Sequence, residues 1–210
     1  MLLVPSLLDF LVADGITREG PGLRWPVGER PELFLRPDFR DALIQLLAGF
    51  VRDFDGPEIL MWELMNEPEN AVAMATPERF RALRLCLHEL ALALHRQGVL
   101  TTIGSRHLGD AQRWWRGVVD VPQVHHWRLL ESIPNPYAVD TPASVLGPLP
   151  AVVGEVEPVA PELVGPLLDR LRGAGYAMAG FWSLRGHDGY AYQPIAEAVQ
   201  AWLAAQSSTP

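Results

Sequence analysis

Short apolar runs alternate with longer segments of helical periodicity along most of the chain. The apolar runs cover residues 2–8, 59–65, 99–103, 119–126, 151–154 and 176–183. They are apolar at nearly every residue rather than at every second one, which is typical of strands buried on both faces of a parallel sheet. The alternation of strand and helix predicts an α/β fold with a parallel sheet.

Proline, glycine and capping residues mark where the helices begin and end. Pro37 opens a helix whose apolar residues keep a 3.6-residue spacing, and Asp55-Gly56-Pro57 ends it. Thr76 is placed to cap a second helix that has Pro77 at its first position and runs to about Gln97. Further helices are predicted over residues 110–115, 162–172 and 194–204.

The composition restricts the classes of partner. Residues 1–210 read as a single folded domain, since 49% are hydrophobic, 20% are charged, and no internal repeat or linker interrupts them. The net charge of −8 disfavours nucleic acid and anionic membranes as partners, and no apolar stretch is long enough to span a bilayer. The single cysteine, Cys86, cannot form an internal disulfide and is expected to be a buried, inert thiol.

Polar residues gather at the carboxyl ends of the apolar runs. They are Asp9, Asn66, Glu67, Ser105, His125, His126, Glu155 and Ser183. In a β/α barrel these ends form the active face, and strands three units apart lie across its mouth. Glu67 and Glu155 would face each other in this way, as the two carboxyl groups of a retaining glycosidase do. A glutamate is more often a helix cap or a solvated loop residue, so a catalytic role has to be supported by the residues around it.

The residues around Glu67 favour a catalytic role for it. The run Trp62-Glu-Leu-Met-Asn-Glu-Pro68 resembles the W-E-x-x-N-E-P signature of clan A glycoside hydrolases, especially the family 5 β-mannanases and cellulases. Val152-Val-Gly-Glu155 is similar to that family's nucleophile segment. His125-His126-Trp127 resembles its His-x-Tyr segment, and Phe181-Trp182-Ser183 its eighth-strand segment. The four segments occur in the family's order.

The resemblance implies an incomplete TIM-type (β/α) barrel with about six βα units, corresponding to strands three to eight of the usual eight. It implies a retaining glycoside hydrolase for β-linked oligo- or polysaccharides, with Glu67 as acid/base and Glu155 as nucleophile. The implied substrate contacts are Asn66, His125, Trp127, Trp182, which would form a platform under the sugar, and Asp9, at the end of the third strand. The implied chemistry needs no metal and no organic cofactor.

The resemblance also exposes a departure. If Met1 begins the third strand, two βα units are absent, together with the Arg near the end of the second strand that supports the nucleophile in the family. A six-strand barrel would expose two edges. The expected explanation is a shortened gene product or fragment; a homo-oligomer that covers the edges and a divergent short barrel are the alternatives.

This departure leaves alternatives for function and location. A carbohydrate-binding relative with impaired catalysis is one alternative to the hydrolase, and a barrel fragment that binds nothing is another. Residues 1–8 lack the features of a signal peptide, so a cytoplasmic location is expected unless the chain is truncated.

Three further residues carry structural expectations. Glu63 would lie inside the barrel, where a carboxylate needs a partner, and an Arg or His is expected beside it. Trp62 and Trp115 are expected to pack in the core rather than to contact substrate.

Overall fold

The structure, a computed structural model, describes residues 3–8, 31–69, 76–126, 141–157, 159–181 and 192–207. Its strands are β1 (Trp62–Asn66), β2 (Thr101–Ser105), β3 (Val121–His126), β4 (Val152–Val156) and β5 (Met178–Phe181). Its main helices are α1 (Pro37–Phe54), α2 (Pro77–His95), α3 (Pro161–Gly173) and α4 (Tyr192–Ser207). Shorter helical turns cover Pro31–Leu35, Leu108–Asp110, Ala111–Trp115 and Ala143–Leu146.

The strands form one parallel sheet in the order β1-β2-β3-β4-β5. Residues 3–8 extend it beyond β1, because Leu3 and Ser6 make parallel bridges to Ile59 and Glu63. Neighbours in the sheet follow one another along the chain, and α2 and α3 make two of the crossovers, as in a β/α barrel. The predicted partial barrel with six parallel segments is therefore confirmed.

The helix boundaries follow the capping residues in the sequence. Pro37 and Pro77 occupy the first turns of α1 and α2, where a missing N–H costs no hydrogen bond. Thr76 caps α2, since its Oγ1 accepts a hydrogen bond from the Arg79 amide at 3.4 Å. The predicted helix over residues 110–115 differs from the structure, which has the turn Leu108–Asp110 followed by the π-helical turn Ala111–Trp115.

The core explains why the strands are apolar throughout. All residues of β1 and β2 are buried, as expected for strands with helices on one face and the barrel interior on the other. One face of helix α2 packs into this core. Cys86 lies on that face and is 1% exposed. Burial raises the pKa of the Cys86 thiol to about 12, which keeps it protonated and confirms the expectation of a buried thiol.

Trp62 and Trp115 are core residues, as expected. Both are 3% exposed. The indole N–H of Trp62 donates to Asp55 Oδ1 at 3.0 Å, and its ring meets Phe50 edge-on. None of the helices in the described part of the chain combines the length and hydropathy needed to cross a membrane.

A pair of leucines in α2 tests the packing. Leu87 is 0% exposed, whereas Leu85, two residues earlier, is 45% exposed. Leu87→Ala should lower the free energy of unfolding by about 2–5 kcal/mol, because it leaves a cavity in the core. Leu85→Ala should change it by no more than about 0.5 kcal/mol. Urea unfolding of both variants measures the difference, and equal losses would contradict this packing.

Candidate active site at the carboxyl ends of the strands

Three ionisable side chains converge at the carboxyl ends of the strands. Glu67 directly follows β1, and its amide donates to Gly104 O at the end of β2 at 2.8 Å. His125 near the end of β3 lies opposite Glu155 of β4 in the parallel register. Since parallel strands all end at the same rim of the barrel, residues distant in the sequence meet there.

His125 lies between the two carboxylates. Its Nδ1 is 2.8 Å from Glu67 Oε1 and 3.5 Å from Glu155 Oε2. The facing atoms of the three residues all lie within 4.8 Å of one another. That spacing is close to the roughly 5 Å between the carboxyl groups of retaining glycosidases and shorter than the roughly 6.5–9.5 Å of inverting ones.

The site is nearly closed to solvent, which strengthens its electrostatics. The His125 side chain is 0% exposed, that of Glu67 9% and that of Glu155 15%. Burial lowers the pKa of His125, but its hydrogen bond with Glu67 and the charges of Glu155, Glu67 and Glu63 outweigh that effect and raise the pKa above its ordinary value. The imidazole and Glu67 are thus joined by a hydrogen bond, and the protonation of each group depends on that of the other.

The same three residues are the one group in the described part of the chain with the spacing of metal ligands. A cation there would have to replace the hydrogen bond between His125 Nδ1 and Glu67 Oε1, which already joins two of the three donor groups. Two carboxylates joined by an imidazole are equipped for proton transfer and nucleophilic attack.

The backbone of Glu67 has an unusual conformation. Its φ is 40°, the only positive φ of a non-glycine residue in the described part of the chain. For an L-residue this left-handed conformation costs about 1–2 kcal/mol. The hydrogen bond from its amide to Gly104 O helps to hold it in place. Such strain is typical of functional residues whose surroundings impose their geometry.

Glu69 anchors the chain just after Glu67. Its Oε1 accepts hydrogen bonds from Ser105 Oγ at 2.6 Å and from the Trp115 indole N–H. Burial raises the pKa of Glu69 above its ordinary value, although the hydrogen bonds from Ser105 and Trp115 oppose this. The anchor ties the turn that carries Glu67 to the end of β2 and to the π-helical turn.

Asn66 directly precedes Glu67 in the chain and has a buried side-chain oxygen. It is 7% exposed, and its Oδ1 has no hydrogen-bond partner within the residues that the structure describes. A buried polar atom of this kind is typical of a position that a ligand hydroxyl or amide completes.

Several predicted and unpredicted residues can now be placed. The structure brings together Glu67, His125 and Glu155, and Asn66 directly precedes Glu67 at the end of β1. Asp9, Trp127 and Trp182 lie outside the described residues. Beside Glu63, where an Arg or His was expected, the Gln123 amide donates a hydrogen bond, and the His125 imidazole lies beyond that amide.

Gln123 and Glu69 were missed by the sequence analysis. A signal for Gln123 was present, because it shares a strand face with His125 two residues later. For Glu69 no signal exists in the sequence, since its partners Ser105 and Trp115 are remote along the chain.

Comparisons with known proteins support the fold. No protein-family model matches the chain, and no curated protein matches it. Among solved structures, it is similar to GH5_18 from Streptomyces cattleya, which was solved in complex with GlcNAc, with a TM-score of 0.52 at 17% sequence identity. The match covers 85% of this chain and 56% of that chain, so this chain spans little more than half of the other's length. The likeness shows the fold alone, which is that of part of a parallel β/α barrel.

The Glu69 anchor predicts how stability changes with pH. A carboxyl whose pKa is higher in the folded state contributes stability at low pH that is lost as the pH rises through the folded value. Glu69→Gln cannot ionise. The wild type should therefore lose free energy of unfolding relative to Glu69→Gln between about pH 4 and pH 7.

Urea unfolding of the wild type and Glu69→Gln across this range measures the difference. The same substitution at Glu78, an exposed residue in the first turn of α2, is the surface control. A free energy of unfolding that rises with pH in the wild type relative to Glu69→Gln would contradict the raised pKa of Glu69.

Proposed function

We propose that the protein is a retaining glycoside hydrolase that acts on β-linked sugars. The observation that carries this proposal is the approach of Glu67 and Glu155 to within 4.8 Å across one rim of a parallel barrel. This spacing suits a double displacement, in which one carboxylate attacks and the other transfers the proton. The glycoside hydrolase fold supports the proposal at the level of architecture.

Glu155 is the nucleophile in the first half of the reaction. Its carboxylate attacks the anomeric carbon as the glycosidic bond breaks, and Glu67 gives its proton to the departing oxygen. The products are the free leaving alcohol and a glycosyl ester on Glu155. Glu67 is left ionised, and the N–H of His125 at 2.8 Å stabilises the new charge.

The second half of the reaction reverses these roles. Ionised Glu67 takes a proton from a water molecule as its oxygen attacks the anomeric carbon and displaces Glu155. Two displacements restore the original β configuration of the sugar. Glu67 ends protonated and Glu155 ionised, so the site is ready for another turnover.

The sugar is held by groups around the carboxylates. Asn66, with its buried and open Oδ1, would accept a hydrogen bond from a ring hydroxyl or from an acetamido N–H. Trp127 and Trp182 would supply apolar faces for the sugar ring, as the resemblance implies. The substrates to be tested are β-mannosides and β-glucosides. Glycosides of β-linked GlcNAc are included because GH5_18 from Streptomyces cattleya was solved with GlcNAc.

Removing each carboxylate separates the two roles. Glu155→Ala should abolish turnover of all aryl β-glycosides, because no other group forms the ester. Glu67→Ala should lower kcat/KM about 10²–10⁴-fold with a phenol leaving group but far less with dinitrophenol, which departs without a proton. Steady-state kinetics on both classes of substrate measure this.

A third glutamate provides the matched control. Glu157 lies two residues beyond Glu155 and just outside β4, and Glu157→Ala should keep most of the activity. The ¹H NMR spectrum of the first-formed sugar should show the β anomer. An α anomer would contradict the retaining mechanism, and oligosaccharide binding without turnover by the wild type would indicate a carbohydrate-binding relative instead.

A further inference from the structure

A chain of buried polar side chains lies beneath the carboxylate pair, inside the barrel. It consists of Glu63 from β1 and Gln123 and His125 from β3, and we call it the polar column. These residues are 9%, 3% and 4% exposed, respectively. Gln123 and His125 are two residues apart on one strand, so both side chains lie on the same face of the sheet. Polar groups buried this deeply need partners, and each must face a group of complementary polarity.

The Gln123 amide directs its NH₂ group at Glu63. Its Nε2 donates to Glu63 Oε2, since a carboxylate oxygen accepts hydrogen bonds. Its Oε1 lies 3.3 Å from Thr102 Oγ1, whose hydroxyl also donates to Val121 O at 2.7 Å. The same NH₂ group is 3.5 Å from His125 Nε2. One amide hydrogen is thus directed to Glu63 and the other towards the imidazole.

Two glycines on the neighbouring strands leave space for this arrangement. A Cβ on Gly104 of β2 would lie 2.7 Å from His125 Nε2 and 2.8 Å from Glu63 Oε2. A Cβ on Gly154 of β4 would collide with the Gln123 side chain. Any larger residue at either position would displace the column, so the sheet is built around it.

The amide orientation restricts where protons can sit on the imidazole. A donor facing Nε2 favours a ring whose Nε2 is unprotonated, because two N–H groups would otherwise point at each other. The remaining ring proton is then on Nδ1, which faces Glu67 Oε1 at 2.8 Å. With the ring neutral, the proton that the proposed general acid carries stays on Glu67 and does not pass to the imidazole. That is the state a general acid requires.

We infer that Gln123, oriented by Glu63, is a positioning residue that places the proton of the His125–Glu67 pair on Glu67. The charged groups acting on the ring are Glu63 and Glu67 from the β1 segment and Glu155 from β4, and all three favour a second ring proton. The amide opposes them at Nε2. The placement of the proton is a property of the structure, while its effect on catalysis rests on the proposed function.

Nitrogen NMR of the imidazole tests the proton placement without any substrate. The protein is labelled with ¹⁵N-histidine, and His125→Asn identifies the His125 signals among the six histidines. In the wild type at pH 7, Nδ1 should carry a proton and Nε2 should not. A proton on Nε2, in either the cationic or the other neutral form, would overturn the inference.

Two nearly isosteric variants test the role of the amide. Gln123→Met removes the donor, so the Nε2 resonance should move to the position of a nitrogen without a hydrogen bond. Gln123→Glu reverses the polarity and should produce a doubly protonated ring at pH 7. Gln112→Met is the control, because that amide donates to Val145 O outside the column. An Nε2 shift in Gln123→Met no larger than in the control would refute the role.

Kinetics give a readout that simple structural damage would not. In Gln123→Glu the ring takes the proton from Glu67, so kcat/KM should fall about tenfold, or about 1.4 kcal/mol, for phenyl β-glycosides. With a dinitrophenyl leaving group kcat/KM should be unchanged, since the first displacement then needs no acid. Equal losses on both substrates would count against the inference. A wild type without turnover but with the expected NMR state would refute the proposed function and leave the proton placement standing.

Discussion

Two buried carboxylates, Glu63 and Glu67, and the partly exposed Glu155 lie close together in the barrel, and the interactions that offset the cost of this organise the rest of the site. Glu63, Glu67 and Glu155 all act on the single imidazole of His125, whose pKa they raise despite its burial. An unpaired charge in such a position would cost several kcal/mol. The hydrogen bonds and charges shared through His125 offset that cost and hold the two rim carboxylates at the spacing that double displacement needs.

This arrangement requires backbone strain at one residue and the absence of side chains at two others. Glu67 accepts a left-handed backbone, and the residues after it are fixed by Pro68 and by the buried contacts of Glu69. Gly104 and Gly154 have no side chains, which leaves space for the polar column between their strands. The apolar core beneath α2 supplies stability elsewhere in the domain, which allows strain and buried charge to persist at the rim.

The elements of the fold were largely predictable from local sequence. The beginnings of α1 and α2 follow from Pro37, Thr76 and Pro77, because capping depends only on adjacent residues. The parallel strands follow from their apolar runs. The π-helical turn Ala111–Trp115 did not follow, because Trp115 there is fixed by a hydrogen bond to Glu69, which lies far away in the sequence. Local patterns carry no information about such a contact.

The candidate site divides in the same way. The sequence by itself determined that Asn66, Glu67, His125 and Glu155 end consecutive or nearby strands, because strand ends and motifs are local features. Only the tertiary structure decided their distances and which group lies beneath them, since these depend on strand register and on the glycines of neighbouring strands. The surroundings of Glu63 are an example. The charge of Glu63 predicted an Arg or His beside it, but strand register places the Gln123 amide between Glu63 and His125.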